Sequence, residues 1–513
     1  MTDMLKQGLF SCGEAAAMLG ASCKGDLNAV ITAVHVDSRA IVSGSAFFAL
    51  QGERVDGHDF ISKAIEGGAV CIVAAESKKA KALEAMERSC PGWSHMSASV
   101  KNDMVSSPIV PCLILVPSVL HALQKLAWEY RRRMKNLVRI GVTGSSGKTT
   151  TKECIGAILT ANFGTEAVAM NKGNLNSDIG LALSMFTLRP EHRVAVFEMG
   201  MNRQGEIDEL AWILDPDYAV ITNIGTAHIG ILGSRQAIAE EKKRVFSRFT
   251  GKQVGFIWDE DEFRDYLREG VNGLVRSFGF SSFGNAVSIT SRGLSGWEIH
   301  WKNQIIQFSL PGKHNCLDAL AALAVAEELA LDPAATARGL CLVQPLFGRS
   351  QIFQGSIDLL FDCYNANPDS MVQAIEFCDS VPAKGRKVLV LGSMLELGVA
   401  EEAEHRLLGE KAFYSSADAV FFFGPETKAS LKRFYELMES VSADRATAIN
   451  TPRTVFQTDS IDELASAVLA FLMPGDLVLL KASRGLALER LADHLQSAGL
   501  VKLDSKKEDR HAS

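Results

Sequence analysis

The stretch from Arg139 to Glu153, RIGVTGSSGKTTTKE, constrains the fold more than any other part of the chain. Leu137, Val138, Ile140 and Val142 form a short apolar run, as a buried strand does. From Thr149 to Leu159 the apolar Ile155, Ile158 and Leu159 fall at helical spacing. Between them lie Gly144, Ser145, Ser146 and Gly147, a turn that only small residues fill comfortably. Such a turn aims several backbone N–H groups into one concavity, and the helix N-terminus adds partial positive charge. Lys148 then reaches the terminal phosphates of a nucleotide, and the hydroxyl of Thr149, followed by Thr150, reaches Mg²⁺. The common spacing, G-x-x-x-x-G-K-[ST], needs glycine at position 142, where valine stands, so the match is to a shorter T-G-x-x-G-K-T-T form. ATP or GTP binding follows, but not what the phosphate is used for.

A chain of 513 residues is too long for one core, and two to four domains are expected. The net charge is −7 and the pI about 5.9, which leaves no basic footprint for nucleic acid. The start, MTDMLKQGLFSCGEAAAML, lacks a basic segment followed by an apolar one, so no signal peptide is expected. The apolar IVPCLILVPSVL is short and broken by Pro111 and Pro117, so no membrane insertion is expected. The ten cysteines show no C-x-x-C pair or metal-like spacing and read as reduced, mostly buried thiols of a cytoplasmic protein. A monomer is expected.

Three α/β blocks follow along the chain. Residues 1–113 alternate short strands (VITAVHVDS, SAFFALQ, AVCIVAAE) with a helix near Ile61 to Glu66, and Lys78 to Ser107 reads as a helix and a surface loop. Residues 114–345 hold the phosphate loop, opened by a linker helix over 114–135 whose Arg131-Arg132-Arg133 run reads as a solvated helix end. Strand-like RVAVFEMG and YAVITNIG with helices between them indicate a parallel sheet, and an Ala-rich helix from Leu317 to Leu331 follows. Residues 346–500, with KVLVLG, AVFFFG and DLVLLKAS, form a smaller Rossmann-like unit. The charged tail 501–513 is expected to be disordered.

Open parallel sheets bind ligands at the C-terminal ends of their strands. Glu198 ends one strand of the central block and His228 follows the next. Taken alone, the first reads as a helix cap and the second as structural; with Thr149 they supply oxygen and imidazole ligands suited to Mg²⁺. Lys242 and Lys243 lie on a helix shortly after, a face that is usually just solvated.

VTGSSGKTTTKE, NKGNLNSDIGLALS, FEMGMNRQGEI, NIGTAHIGILGS with EEKKRVF, LPGKHNCLDALAALAVA and DCYNANPDSM occur in the order of the Mur ligases, the ATP-dependent enzymes that build the peptide stem of bacterial cell wall. YNANPDSM, LGSMLELG and VDSRAIVSGSAFFALQGERVDGHDF resemble the branch that adds D-alanyl-D-alanine. The resemblance spans Val36 to Glu489, and the short loop is its form of the phosphate cradle. It implies three domains: an N-terminal one for the UDP end, a central one for ATP and a C-terminal one that closes on both. It implies ATP and two Mg²⁺, with Thr149 and Glu198 on one ion, and His228 with a CO₂-derived carbamate on Lys242 holding the other; aligning EEKKRVF selects Lys242 over Lys243. Asn315 resembles the adenine-side asparagine, and Arg349, Asp362 and Asn365 groups that close on ATP. Ser38, Arg39, Gly52, Asp56, Gly57 and His58 resemble the grip on the UDP end. Asn174, Asn176, Ser177, Asn367, Lys481 and Arg484 resemble further substrate contacts; a turn, cap or packing role is the plain alternative for each. Three departures stand out: NLNSD for Asn-Asn-Glu, Asp318 for a second asparagine, and Ala482 in KASRG for the usual K-G-S.

The implied reaction is amide formation. ATP phosphorylates the terminal carboxylate of UDP-MurNAc-tripeptide, and the amine of D-Ala-D-Ala attacks the acyl phosphate. The rival readings are a sister ligase that adds a diamino acid, a folylpolyglutamate-type synthetase, and a nucleotide-binding protein without ligase chemistry. A D-N-P-R signature would favour the first, and YNANPDSM stands in its place.

Overall fold

The computed structural model describes residues 8–95, 110–283, 287–443 and 454–503. The chain divides into two compact units, Met1–Arg139 with Ala169–Met199 and Asp208–Asp215, and Ile140–Val168 with Gly200–Ile207 and Pro216–Ser513.

The first unit is organised by Ala69–Ala75, AVCIVAA, buried at all but its last position. A strand covered on both faces reads as a continuous apolar run rather than an alternation. It pairs in parallel with Ser45–Phe48 and Cys112–Val116; Ala33–His35 extends one edge in parallel and Cys23–Lys24 the other antiparallel. Phe47, Ile72, Met86 and Trp93 bury one face under helices Ile61–Glu66 and Lys79–Ser89. Residues 96–107 of the expected surface loop lie outside the described residues. Helix Val119–Arg131 starts at Ser118, whose hydroxyl accepts from the His121 N–H at 3.3 Å. Its Tyr130 packs on Phe10 and Phe186 and donates to the Leu188 carbonyl at 2.9 Å.

Two expectations are corrected in this unit. Cys23 and Cys112 form a disulfide with Cα atoms 6.5 Å apart, leaving eight free cysteines, six of them buried. The partners are 89 residues apart in sequence, and the pairing of two short strands brings them together. The three arginines are not a solvated helix end. Successive helical residues point about 100° apart, so three in a row face three ways. Arg131 is buried, with Nε donating to the Ile213 carbonyl at 3.2 Å and Nη1 to the Asp215 carboxylate at 3.1 Å. Arg133 donates to the Leu9 carbonyl and Glu14, and exposed Arg132 lies 4.5 Å over the Trp128 ring.

In the second unit the phosphate-loop strand runs beside Tyr218–Ile221, then Val254–Trp258, then Leu274–Phe278, all parallel, with Tyr218 opposite Ile140 and Ile221 opposite Thr143. The phosphate-loop helix is Lys148–Phe163, and the Ala-rich helix is Lys313–Glu328, several residues earlier than expected. An antiparallel sheet of Val287–Ser291, Trp297–Trp301 and Gln304–Phe308 was not foreseen. Its last hairpin turns through Lys302 and Asn303, both at positive φ (44° and 61°), as a two-residue primed turn requires. The last block is a six-stranded sheet in the order Gln351–Gln354, Asp358–Phe361, Leu477–Lys481, Lys387–Gly392, Ala419–Phe423, Thr454–Thr458, parallel except for the first pair. Two apolar clusters, around Leu359, Val390 and Phe421 and around Leu360, Leu389 and Phe422, bury its two faces. Val501 is buried and bridges Gly355, so order extends into the start of the expected tail; residues 504–513 lie outside the described residues.

Replacing Arg131 with methionine should lower the unfolding free energy by about 1–2 kcal/mol, because the Ile213 carbonyl loses its donor while half-exposed Asp215 keeps its pair with Arg139 at 2.9 Å. Arg132→Met should cost under about 1 kcal/mol. Equal effects in urea unfolding would show that Arg131 is not an internal strut.

Candidate active site

The phosphate loop is shaped by what lies directly against it. Gly144 has φ 149°, and a Cβ there would lie 1.8 Å from the Thr222 hydroxyl oxygen. Gly147 has φ 79°, and its Cβ would lie 2.3 Å from an Asp318 carboxyl oxygen. Both positions therefore exclude any side chain. The end of strand Tyr218–Ile221 staples the loop in place: the Ser145 N–H donates to the Asn223 carbonyl, the Ser146 N–H to Asn223 Oδ1, the Thr222 hydroxyl to the Ser146 carbonyl, and the Gly225 N–H to the Ser145 hydroxyl. Thr222 and Asn223 were not singled out from sequence. Their signal was there, since they directly follow a strand at the sheet's ligand-binding end.

Two lysines converge on one oxygen. Lys148 Nζ donates to the Gly144 carbonyl at 2.9 Å, and Lys242 Nζ donates to the same carbonyl at 2.8 Å. Lys242 is fully buried, and burial, with the Lys148 charge, pushes its pKa well below the ordinary lysine value; Glu241 acts in the opposite direction. Lys243 turns away, donating to the Tyr266 carbonyl at 2.6 Å with its ammonium over the Tyr266 ring, so the two lysines of the helix have different environments. Glu241 anchors this helix. Its buried carboxylate accepts from the Gly205 and Ile207 N–H groups at 2.8 and 2.9 Å. Adjacent to Lys242 in sequence, it too was not foreseen as a site residue.

His228 sits at φ 65° ahead of the short helix Ile229–Leu232. Its Nδ1 is buried without a hydrogen-bond partner among the described residues, with the Glu396 carboxylate 4.0 Å away. Burial lowers its pKa to about 4, helped by the charges of Lys148 and Lys242, so the ring is neutral at physiological pH and offers a lone pair. The helix is seated on the last block by two glycines: a Cβ on Gly230 would lie 2.8 Å from Gly398 N, and one on Gly398 would lie 3.1 Å from Gly230 Cα. Nearby, Asp369 accepts from both the N–H and the hydroxyl of Thr226, at 2.6 and 2.7 Å.

Glu198 belongs to the first unit, where it ends strand Val194–Glu198. It is buried, and Asn176 Nδ2 donates to its carboxylate at 2.7 Å while Asn171 bonds its backbone on both sides. Ser177 caps helix Asp178–Met185, and Asn174 is exposed in the preceding turn. Among the described residues no three acidic, imidazole or thiol side chains gather as a metal cage. The donor chemistry present, an unpartnered neutral imidazole and a buried amine of lowered pKa, suits a metal completed by a threonine hydroxyl, a modified lysine and phosphate oxygens.

The other expected residues divide. Lys481 pairs with Asp362 at 2.6 Å, and both lie beside His314. Burial is the largest single influence and raises the Asp362 pKa, but Lys481, His314 and the Ser350 N–H together outweigh it and the net value is lowered. Arg349 stacks 4.1 Å over Tyr364, buried Asn315 donates to the Pro311 carbonyl, and Asn365 accepts from the Ala366 N–H. Arg484 pairs with Glu489, while Asn367 caps helix Pro368–Ser380 in a reciprocal capping box. In the first unit Arg39 is exposed and paired with Asp37 beside Ser38, and the Gly52 N–H donates to the Val55 carbonyl. His58 is spent internally: its Nε2 accepts from the Ala75 N–H, which puts the proton on Nδ1, bonded to Asp56 at 2.6 Å. Gly57 packs on the Leu50 backbone. For Asp56, Gly57, His58, Ser177 and Asn367 these bonds are the structural role that the sequence left open.

Because its ring is neutral, the His228 NMR signals should show no titration between about pH 5.5 and 8. An inflection near the ordinary histidine value of about 6.5 would mean that the ring is not desolvated beside Lys148 and Lys242.

Three family models match in succession: the Mur ligase family catalytic domain over residues 30–131, the Mur ligase middle domain over 142–326, and the Mur ligase glutamate ligase domain over 348–484. The chain is 41% identical to the UDP-N-acetylmuramoyl-tripeptide--D-alanyl-D-alanine ligase of Treponema pallidum, covering 89% of this chain and 92% of the relative. It is 33% identical to the Bacillus subtilis enzyme of the same name, covering 91% and 93%. Among solved structures, MurF from Acinetobacter baumannii matches with a TM-score of 0.77 at 27% identity, covering 95% and 99%. MurF ligase from Thermotoga maritima in complex with ADP matches with a TM-score of 0.70 at 26% identity, covering 91% and 97%. Loop, lysines and imidazole thus sit in a chain that matches these models and relatives along most of its length, and the chain belongs to the Mur ligase family.

Proposed function

We propose that this chain joins D-alanyl-D-alanine to UDP-MurNAc-tripeptide in an ATP-dependent reaction that forms an amide and releases ADP and phosphate. The observation that carries the reading is the convergence of Lys148 and Lys242 on Gly144 beside a neutral His228, in a chain 41% identical to a relative bearing that name. A carboxylate and an amine do not condense usefully in water, so the acid must first carry a good leaving group. Phosphorylating it brings two anions together, and fixed positive charge at the phosphate loop lowers that barrier.

Lys148 leaves its carbonyls to meet the phosphates. Lys242, held as an amine by burial, attacks the carbon of CO₂ and loses a proton to become a carbamate. Thr149, Glu198, His228 and the carbamate are the groups that would hold two Mg²⁺, which supply charge neutralisation for the transferring phosphoryl group. Glu241 positions Lys242 by pinning its helix to the Gly205–Ile207 backbone. The ADP named with the Thermotoga maritima structure supports ATP as the nucleotide, bound at residues 144–150 with Asn315, Arg349, Asp362 and Asn365 around it. Residues 1–113 take the UDP end through Ser38 and exposed Arg39, 114–345 the ATP, and 346–500 the dipeptide near Lys481 and Arg484. No helix among the described residues is long and apolar enough to cross a membrane.

Purified protein should release phosphate from ATP when UDP-MurNAc-tripeptide and D-Ala-D-Ala are both present, and not with either alone. Equal release with a free diamino acid and the dipeptide precursor would assign the chain to the sister ligase. Lys242→Ala should lose activity by about 10²-fold or more and regain part of it with small carboxylic acids; an undiminished rate would remove the carbamate from the mechanism.

A further inference from the structure

Asp318 is the acidic side chain pressed against the phosphate loop from below. It is buried, one of its oxygens accepts from the Thr151 hydroxyl at 2.9 Å, and the same oxygen lies against Gly147. Its second oxygen, Oδ2, is also buried and has no hydrogen-bond partner among the described residues. A buried carboxylate with a single donor is costly, and here it would add negative charge where a nucleotide brings several more. An acid group in this position is tolerable only without its charge.

We propose that Asp318 is a proton-bearing prop under the phosphate loop: its neutral carboxyl group braces Gly147 and Thr151, and loss of the proton weakens nucleotide binding. Burial pushes its pKa well above the ordinary aspartate value, against the lowering effects of Thr151 and Arg349. The groups facing it are Cys154 and Thr151 on the phosphate-loop helix, Cys316 on its own helix and Arg349 ahead of strand Gln351–Gln354. Of these, Arg349 carries a charge at neutral pH. Bound phosphate raises the carboxyl pKa further, so affinity is constant below the free protein's value and falls as pH rises from there to the bound value.

This inference rests on the nucleotide-binding reading, and ADP with Mg²⁺ tests the two separately. By titration calorimetry from neutral pH up through the alkaline range in which the wild type stays folded, wild-type affinity should fall by up to about tenfold per pH unit once the carboxyl group ionises. Asp318→Asn keeps the shape and the Thr151 bond but cannot ionise, and its affinity should stay within about threefold across that range. Thr151→Val, which removes the donor that stabilises the anion, should move the wild-type fall to higher pH. The infrared difference between wild type and Asp318→Asn at neutral pH should contain the carbonyl stretch of a protonated acid, a readout independent of binding. Identical pH profiles in wild type and Asp318→Asn, or absence of that stretch, would overturn the proposal. Failure of the wild type to bind ADP at any pH would overturn the nucleotide reading and this inference with it.

Discussion

Two lysine side chains donate to a single backbone oxygen, the carbonyl of Gly144, and much of the site follows from that contact. Like charges this close in a buried setting oppose each other's protonation. Burial, with the Lys148 charge, lowers the Lys242 pKa, and burial, with the two lysines, keeps His228 beside them neutral. One arrangement thus produces a phosphate-directed cation, an amine ready to react and an imidazole with a free lone pair. Gly144 can present its carbonyl in this way because its backbone conformation is closed to side chains and Thr222 fills the space behind it.

The surrounding structure holds that contact in place rather than adding chemistry to it. Thr222 and Asn223 fix the loop from the neighbouring strand. Glu241 fixes the lysine helix through two backbone amides, a geometry that orients Lys242 without touching the phosphates. Asp318 supports the loop from beneath. Thr222, Glu241 and Asp318 are buried and Asn223 half-buried, and each has a bond that ties one chain segment to another, which is how a polar core fixes a geometry as well as a fold.

Much of this was legible in the sequence because the phosphate loop has strict local demands. Gly144 and Gly147 are dictated by backbone conformation and contact, and Lys148 by the helix that follows, so spacing alone finds them. The central apolar strands were equally plain, since Ala69–Ala75 or Leu477–Lys481, buried on both faces, leaves little choice of residue. Other features depend on pairings between remote segments. The Cys23–Cys112 bond needs the edge strand Cys23–Lys24 to meet strand Cys112–Val116, and the burial of Arg131 needs Asp215, 84 residues away, to meet its helix. The hairpin through Lys302 and Asn303 escaped notice because its turn carries no glycine. His58 and Asn367 show what a motif does not announce: their side chains also bond within the loops that carry them.

The back-to-back glycines of the His228 helix carry a consequence for variation. Gly230 and Gly398 lie 168 positions apart in the numbering, yet a Cβ on Gly230 would meet the Glu396 carbonyl oxygen at 2.6 Å and Gly398 N at 2.8 Å, and one on Gly398 would meet Gly230 Cα at 3.1 Å. Even alanine at either position would act as a wedge, prying the imidazole-bearing turn from the segment that carries Glu396. No second change at the opposite position could relieve it, because that residue has no side chain left to shrink. The pair is therefore a dead end for gradual substitution, and divergence in this region would have to proceed by remodelling the whole 394–400 loop.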